Sequence, residues 1–197
     1  MRVKTQSKRQ AILDIATDLF REVGYERASM AMISSRLGGS KATLYSYFSS
    51  KEELFATAMV DAVQKQAEGV MGLMLKGDGD IHATLYTFGL AYLRIMSSAN
   101  VMAIVRTGAA AGAHSPLGPQ LYKIGPENAW TEGADNIREL QQQGYIREGN
   151  PKLIAMHFKA LLDAGIFEPM LYGAPPQMTL EEASEAAVEV FLRAYGQ

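Results

Sequence analysis

Cysteine is absent from this 197-residue sequence, and histidine occurs only three times. Without cysteine, disulfides, zinc–thiolate sites and thiol nucleophiles are excluded. The histidines stand at positions 82, 114 and 157, so none of them forms the i, i+4 pair typical of a helical metal site. A Gly-rich phosphate loop and a Gly-x-Ser-x-Gly nucleophile elbow are missing as well. We therefore expect a protein that is not an enzyme and that carries no metal and no cofactor.

Long uninterrupted apolar runs are also missing. No segment approaches the roughly 20 apolar residues that are needed to cross a bilayer. The basic N-terminus is not followed by the apolar stretch of a secretory signal, because Asp14, Asp18 and Arg21 interrupt it. The expectation is a cytoplasmic protein with no membrane partner.

Clear period-2 alternation, the pattern of β-strands, does not occur, whereas apolar residues recur at helical spacing nearly throughout. With 48% hydrophobic and 20% charged residues, the composition is that of an ordinary globular chain. We predict an all-α fold of about nine helices. Their expected ranges are about 8–23, 30–37, 41–47, 51–76, 80–97, 100–112, 117–143 with a break at Gly125-Pro126, 151–172 and 180–195.

Polar residues and glycines mark several predicted helix ends. Ser29 and Ser40 are the predicted caps of the two short helices, and Gly24 is the predicted end of the first helix. Capping boxes are predicted at Ser7 with Gln10, at Ser50 with Glu53 and at Thr179 with Glu182, and Asn150-Pro151 is a predicted helix start.

Charge is distributed unevenly along the chain. Residues 1–55 contain nine Lys or Arg against six Asp or Glu, although the net charge of the whole chain is −2. A basic N-terminal part and an acidic remainder suit a polyanionic partner at the N-terminus. An uneven solvated surface explains the same distribution equally well.

The stretch from Ser29 to Leu54 contains two short predicted helices joined by a Gly38-Gly39 turn, which is the arrangement of a helix-turn-helix at about 28–48. In the second of these helices, Leu44 and Phe48 are four residues apart and are expected in the core. The remaining residues suit DNA: Thr43 for a base edge, Ala42 for close approach, and Lys41 and the tyrosines for phosphates. Lys51, at the start of the next helix, is also expected to hold a phosphate, together with the N–H groups of that helix end. The predicted DNA-binding residues are Ser29, Ser40, Lys41, Ala42, Thr43, Tyr45, Tyr47 and Lys51. The alternative is a packed helical hairpin with core aromatics.

This stretch closely resembles the DNA-binding signature of the TetR family, in which a Gly turn leads to Ser-Lys-Gly-Thr-Leu-Tyr and then to Phe and Ser-Lys-Glu. The matching positions are Ser29, Ile33, Gly38, Ser40, Lys41, Thr43, Leu44, Tyr45, Tyr47, Phe48, Ser50, Lys51, Glu52 and Leu54. With the preceding Phe20, Gly24 and Tyr25, the resemblance covers about residues 8–56. The sequence departs from the family pattern at Ser34, Gly39 and Ala42, and the missing side chain at Gly39 puts the angle between the two helices in question.

The C-terminal part resembles the AefR-like subgroup of the same family at Phe88-Gly89, Tyr92-Leu93 and Gly144-Tyr145-Ile146. The resemblance implies a three-helix DNA-binding domain in 1–55 and a helical effector-binding and dimerisation domain in 56–197. It also implies a homodimeric repressor of a palindromic double-stranded DNA operator, released by a small-molecule effector. Two alternatives stay open: a helical ligand-binding or scaffold dimer without DNA binding, and a regulator that activates.

Aromatic and flexible apolar residues in the middle helices are candidates for the effector pocket, with ordinary core packing as the alternative. The pocket set is Met71, Met74, Phe88, Tyr92, Met102, Arg106, Trp130 and Phe158. Arg106 and Asp163 are charges in apolar surroundings, so we expect them to form an ion pair or, less favoured, to meet a ligand.

The last two predicted helices are candidates for a four-helix dimer interface, with burial inside one monomer as the alternative. The predicted interface residues are Leu153, Leu161, Phe167, Ala187, Val190, Phe191 and Ala194. At the other end of the chain, Arg2, Lys4 and Arg9 form an arm that either contacts DNA or is a solvated tail.

Overall fold

The computed structural model of the chain describes residues 5–77, 79–112 and 116–197. Among these residues the regular structure is helical, and the β-structure is one isolated antiparallel bridge between Ile146 and Gly196, so the predicted all-α fold is confirmed. The contacts divide the chain into two compact units, Met1–Lys65 with Thr107–Tyr122 and Gln66–Arg106 with Lys123–Gln197. Unit 1 is thus built from two separate stretches, whereas we expected one continuous N-terminal domain.

Unit 1 contains helices α1 (Gln6–Val23), α2 (Met30–Leu37), α3 (Lys41–Tyr47), most of α4 (Lys51–Ala67), the end of α6 (Ala99–Ala111), and α7 (Leu117–Tyr122). The buried residues of α1 recur at helical spacing and form one apolar face. Gly24 follows α1 with φ +79°, a conformation that favours glycine.

The predicted cap of α1 is wrong. The helix begins at Gln6, and the hydroxyl of Thr5 accepts from the N–H of Lys8. Ser7 therefore lies inside the first turn and does not cap with Gln10. Of the arm residues, Arg9 belongs to α1, whereas Arg2 and Lys4 lie outside the described residues.

The predicted caps of the two short helices are confirmed. Ser29 accepts from the N–H of Met32, and Ser40 accepts from the N–H of Thr43 at 3.1 Å. At the start of α4, Ser50 accepts from the N–H of Glu53 at 3.1 Å, which is half of the predicted capping box. The other half is shifted by one residue, because the Glu53 carboxylate accepts from Ser49 instead of Ser50.

Unit 2 contains α5 (Ile81–Met96), the start of α6, α8 (Asn128–Gln142), α9 (Pro151–Asp163), α10 (Phe167–Leu171) and α11 (Leu180–Tyr195). The predicted starts of α9 and α11 are confirmed: Asn150 caps α9 with Pro151 in its first turn, and Thr179 and Glu182 form a capping box.

Two predicted helices are shorter than expected. The helix from Lys51 ends at Ala67, and a separate 3₁₀ turn follows at Met71–Leu75. The expected 151–172 helix is interrupted at Gly165, whose φ is +72°. The break expected within 117–143 at Gly125-Pro126 is confirmed, because Pro126 falls in a π-helical segment, Lys123–Glu127, that separates α7 from α8.

The core of unit 2 lies among α5, α8, α9 and α11. Helices α5 and α11 approach closely at Gly89, where a Cβ would lie 2.4 Å from Ser184 Oγ and 2.8 Å from Leu162 Cδ2. Ser184, although fully buried, is satisfied because its hydroxyl donates to the Tyr86 carbonyl at 2.9 Å. Glycine is therefore favoured at this crossing, because any Cβ would force the Ser184 and Leu162 side chains to shift.

Within the described ranges, no single helix is long and apolar enough to span a membrane. The pair Ile81–Met96 and Ala99–Ala110, bent by 64°, reaches that length and apolarity only when its two helices are taken together.

Candidate functional site

Helix α3 presents one face to the core and another to solvent. Leu44 and Phe48 are buried, as the spacing predicts. Lys41 and Ala42 are exposed, and Tyr45 is 50% exposed despite its aromatic ring. The result is a short helix with a polar, accessible surface fixed to the unit by two apolar side chains.

The turn between α2 and α3 is stabilised from within. Gly38 adopts the left-handed conformation with φ 66° and ψ 25° and ends α2. Ser34 is buried, and its hydroxyl donates to the Gly39 carbonyl at 2.8 Å. This hydrogen bond spans the turn at the position where Gly39 provides no side chain. Two of the departures from the family pattern therefore interact with each other.

Several predicted DNA-binding residues make contacts inside unit 1. The hydroxyls of Ser40 and Thr43 are hydrogen-bonded to each other at 3.0 Å. Ser29 is half-buried as the cap of α2. The Tyr47 hydroxyl accepts from the N–H of Thr5 at 3.2 Å and so links the start of α1 to the end of α3. These hydroxyls hold the helix ends in place.

Lys51 has a different environment from the one we predicted. Its ammonium donates to the carbonyls of Tyr25 at 3.0 Å and Ala28 at 3.2 Å, and it lies 4.2 Å from the centroid of the Tyr25 ring. Two of its three protons are therefore used inside unit 1. This is a correction: the side chain braces the α1–α2 loop, and the structure does not aim it outward at a phosphate.

The Tyr25 side chain continues this connection to α4. Its hydroxyl donates to the Glu52 carboxylate at 3.1 Å, and its ring packs against Phe55 with 4.7 Å between centroids. Burial, with the adjacent Glu52 charge, raises the pKa of Tyr25 to about 12. The phenol therefore remains a hydrogen-bond donor throughout the neutral range.

Basic side chains of the first 55 residues differ in how they are partnered. Arg36 forms an ion pair with Glu22, and this hydrogen bond lowers the pKa of Glu22. Arg9 is half-buried with its guanidinium 5.3 Å from the centroid of Phe48. Among the described residues no acidic side chain pairs with the exposed Lys41. The α3 surface thus carries an uncompensated positive charge.

The predicted pocket residues all lie in unit 2, where most of them form a packed core. Tyr92 and Trp130 are edge-to-face with 5.5 Å between centroids, and Phe88 lies 5.8 Å from Phe158. Met74 is fully buried, Met102 is buried and Met71 is partly buried. Six members of the set, all except Met102 and Arg106, therefore belong to one cluster, and their side chains fill the space between them.

A shallow crevice in the same unit includes one member of this set, Met74. Its other lining residues are Leu75, Gly77, Gly79, Asp80, Ile81, Thr84, Leu140, Gln143 and Tyr145.

Arg106 and Asp163 do not form the ion pair that we favoured. Arg106 is exposed, and its guanidinium donates to the last carbonyls of α10, those of Met170 and of Leu171, the latter at 3.0 Å. Asp163 accepts from the Tyr92 hydroxyl at 3.0 Å and pairs with Lys159 one turn earlier in α9. The charge of Arg106 is thus at the surface, and its assignment to the pocket stays a prediction.

The predicted dimer-interface residues divide into two groups. Ala187 and Phe191 are buried in the core of unit 2 and have no surface for a partner, so these two assignments are wrong. Leu161 and Phe167 are half-buried, whereas Leu153, Val190 and Ala194 are exposed. The exposed apolar residues define what we call the α9–α11 outer face: Leu153, Met156, Ala160, Ala186, Val190 and Ala194.

Both sides of α11 are apolar, so the predicted interface set includes residues from each side. Ala186, Val190 and Ala194 recur every four residues on the exposed side, and Ala187 and Phe191 lie beside them toward α5 and α9.

Among the described residues, no cluster of three or more His, Asp or Glu could hold a metal ion.

Comparison with known proteins assigns the chain to a family. The family model described as "Bacterial regulatory proteins, tetR family" matches residues 12–58, which include α2, α3 and the start of α4. The model described as "AefR-like transcriptional repressor, C-terminal domain" matches residues 83–197, more than half of the chain. This chain belongs to the TetR family. It is therefore a helix-turn-helix transcriptional regulator with an N-terminal DNA-binding domain and a C-terminal domain.

Solved structures share the fold of this regulator over nearly its whole length. A TetR-family transcriptional regulator from Mesorhizobium loti is 25% identical, with a TM-score of 0.86 over 98% of this chain and 100% of that one. The flavonoid-responsive regulator FrrA is 28% identical, with a TM-score of 0.77 over 98% of each chain.

Similarity to a curated relative is more local. The regulator YhgD of Bacillus subtilis is 28% identical over 82 residues, which are 40% of this chain and 43% of YhgD. The match thus spans less than half the length of that relative.

Proposed function

We propose that this regulator is a homodimer that represses transcription by binding a palindromic double-stranded DNA operator, and that a small-molecule effector releases it. The observation that carries the proposal is the surface of α3. Lys41, Ala42 and Tyr45 are accessible on a helix whose ends are fixed by Ser40 and Phe48. A helix of this kind fits a major groove about 12 Å wide.

The proposed contacts follow from side-chain chemistry and exposure. Lys41 and the Tyr45 hydroxyl suit phosphates, and Ala42 and Thr43 suit base edges. Ser29, Ser40 and Tyr47 belong to the proposed interface as residues that hold α2 and α3 in position. Lys51 contributes to the interface indirectly, through the α1–α2 loop that it braces. We also propose that the DNA-binding domain ends, and the effector-binding and dimerisation domain begins, at about residue 55.

The proposed homodimer uses the α9–α11 outer face. Leu153, Met156 and Val190 are 49%, 51% and 48% exposed on two helices that contact each other, and several exposed apolar side chains on one pair of helices suit an association site. A two-fold dimer would place its recognition helices in major grooves about 34–36 Å apart, one turn of DNA. Palindromic operators match this symmetry.

Effector control is supported by the C-terminal domain. Residues 83–197 match an AefR-like repressor domain, and a full-length structural relative is flavonoid-responsive. The proposed pocket would open among Met71, Met74, Phe88, Tyr92, Met102, Trp130 and Phe158, where packed rings must move to admit a ligand. A cytoplasmic location and the lack of enzymatic activity follow from the proposed role as a regulator.

The proposal is tested by a mobility-shift assay over a salt series, with the DNA immediately upstream of the protein's own coding region. Lys41→Ala with Tyr45→Phe should weaken binding and reduce the salt slope by about 1, because one positive charge is lost with Lys41 and the Tyr45 hydroxyl carries none. Lys152→Ala is the matched control, because this lysine is also exposed but lies in α9.

A sequence-preferring, salt-sensitive shift that only the α3 variant weakens would support the proposal. No shift with that DNA or with genome-selected fragments would favour the ligand-binding dimer without DNA binding. The net charge of −2 favours this second candidate, because a negatively charged protein is on the whole repelled by DNA.

A further inference from the structure

A carboxylate lies at the edge of the aromatic core of unit 2. Asp163 ends α9, and its side chain is only 15% exposed. One carboxylate oxygen accepts from the Tyr92 hydroxyl at 3.0 Å, and the other pairs with the ammonium of Lys159. Tyr92 itself is buried and stacks edge-to-face on Trp130. The carboxylate is therefore fixed to the core through a phenol.

The position opposite this carboxylate already holds a cation. The Lys159 ammonium pairs with Asp163 and also lies 5.7 Å from the centroid of the Phe167 ring. A carboxylate on one side and an aromatic face on the other is the arrangement by which proteins bind ammonium groups. The same arrangement disfavours an anion, because both neighbours present negative charge density.

The two partners differ in how readily they can leave. Lys159 has a flexible four-carbon stem, and its side chain is 30% exposed, so its ammonium can swing into water and be solvated there. Asp163 has a short side chain tied to a buried phenol. Burial and the Asp163 charge also raise the pKa of Tyr92 well above its usual range, so the phenol stays protonated and continues to donate. The carboxylate remains in place when Lys159 leaves.

We propose that Asp163, Tyr92 and Phe167 form a binding site for an organic ammonium cation, which enters by displacing the ammonium of Lys159. The inference rests on the proposed effector-responsive function and names the chemical class of the ligand, an amine or quaternary ammonium with an apolar group. The apolar group is placed toward the aromatic residues that surround Tyr92. Lys159 acts as the internal occupant that keeps the carboxylate paired when the ligand is absent.

The chain contains its own reporter for this site. Trp130 is the single tryptophan, and its ring is 5.5 Å from Tyr92, which donates to Asp163. Benzylammonium, neutral benzyl alcohol and anionic benzoate share a ring and differ in charge. Each compound is titrated into the full chain, and binding is followed by tryptophan fluorescence. The comparison distinguishes the contribution of the ligand's charge from the contribution of its ring.

Benzylammonium should bind at least about tenfold more tightly than benzyl alcohol, and benzoate should bind most weakly. Asp163→Asn should remove the preference, and Lys159→Met should strengthen benzylammonium binding because the internal competitor is gone. Equal binding of the alcohol and the ammonium, or an unchanged preference in Asp163→Asn, would overturn the proposal.

A second measurement decides the matter if Asp163→Asn does not fold. In Lys159→Ala the carboxylate lacks its cation, and added n-propylammonium chloride should raise the melting temperature more than sodium chloride at the same ionic strength. Lys152→Ala, an exposed lysine of the same helix, is the control and should show a smaller difference between the two salts, because Lys159 still competes for the carboxylate. An equal response of Lys159→Ala to the two salts would refute the cation site.

These measurements contain no DNA, so their outcome is independent of the operator assay. Failure of the cation preference with an intact operator shift would remove the ligand class and leave the proposed regulator. A cation preference without any operator shift would leave a ligand-binding protein and remove the proposed repressor.

Discussion

The ammonium of Lys51 lies 4.2 Å from the centroid of the Tyr25 ring and donates to the carbonyl of the same residue at 3.0 Å. With its second acceptor at Ala28, this lysine ties the loop between α1 and α2 to the first turn of α4. The loop leads directly into Ser29, the cap of α2. The orientation of the helix-turn-helix therefore depends on a side chain that follows it in sequence.

Replacement of Lys51 by Met should lower the free energy of unfolding by about 1–3 kcal/mol, because hydrogen bonds from a charged donor to two carbonyls and a cation–π contact are lost. Urea denaturation measures this change, with an unchanged m-value expected. Lys41→Met is the control: its lysine is exposed and should change stability by no more than about 0.5 kcal/mol. Equal effects of the two variants would contradict the bracing role.

The raised pKa of Tyr25 predicts a loss of stability at high pH. The folded-state pKa is about 12, above the value of about 10 for an unfolded tyrosine, so the native state binds the proton more tightly. The associated stability is fully present below pH 10 and is lost as pH rises through 12. Tyr25→Phe has no such proton, so the stability difference between wild type and variant should shrink over this interval in urea titrations. A difference that is constant from pH 8 to 12 would exclude this linkage.

Local signals were sufficient for most helix ends. Ser29, Ser40 and Thr179 each cap an N–H within three residues, so the sequence around them contains all the information required. The choice of Thr5 over Ser7 involves a distant residue, because Tyr47 accepts from the N–H of Thr5. Sequence spacing does not contain that contact.

The same distinction applies to the candidate site. The core and exposed faces of α3 follow from the four-residue spacing of Leu44 and Phe48. The environment of Lys51 does not, because its acceptors are 26 and 23 residues away along the chain. Likewise, an apolar residue such as Phe191 is equally suited to a core and to an interface, and only its packing against other helices distinguishes the two.

The two glycines of the turn should respond differently to alanine. Gly38 has φ +66°, so Gly38→Ala forces a residue with Cβ into the left-handed region and should cost about 1 kcal/mol. At Gly39 an added Cβ would meet Leu37 Cδ2 at 3.7 Å, an ordinary contact, and φ is not positive. Gly39→Ala should therefore be neutral or stabilising by up to about 1 kcal/mol.

Thermal and urea unfolding of the two variants measure the difference, and each variant is the other's control. Operator affinity should be retained in Gly39→Ala, because Ser34 holds the turn through the Gly39 carbonyl, which the substitution keeps. A Gly39→Ala variant less stable than Gly38→Ala would show that the space around the turn has been assigned incorrectly.

Charge placed on the α9–α11 outer face should dissociate the proposed homodimer. Val190 lies between Ala186 and Ala194 on the exposed side of α11. In a two-fold dimer, the charge of Val190→Asp would face the same charge of the partner or be buried against apolar side chains. Buried unpaired charges cost several kcal/mol, so the dissociation constant should rise by about 100-fold or more. Light scattering after gel filtration measures the mass over a concentration series.

Tyr172→Asp is the matched control for this experiment. Tyr172 is the more exposed residue, at 81%, but it follows α10 and is not part of the α9–α11 outer face. The Tyr172→Asp variant should remain dimeric at concentrations where Val190→Asp is monomeric. Both variants should keep the helical circular dichroism of the wild type, because neither side chain is in the core. Since each half-site binds weakly alone, the monomeric variant should also lose operator binding. A Val190→Asp variant that stays dimeric would place the interface elsewhere on the molecule.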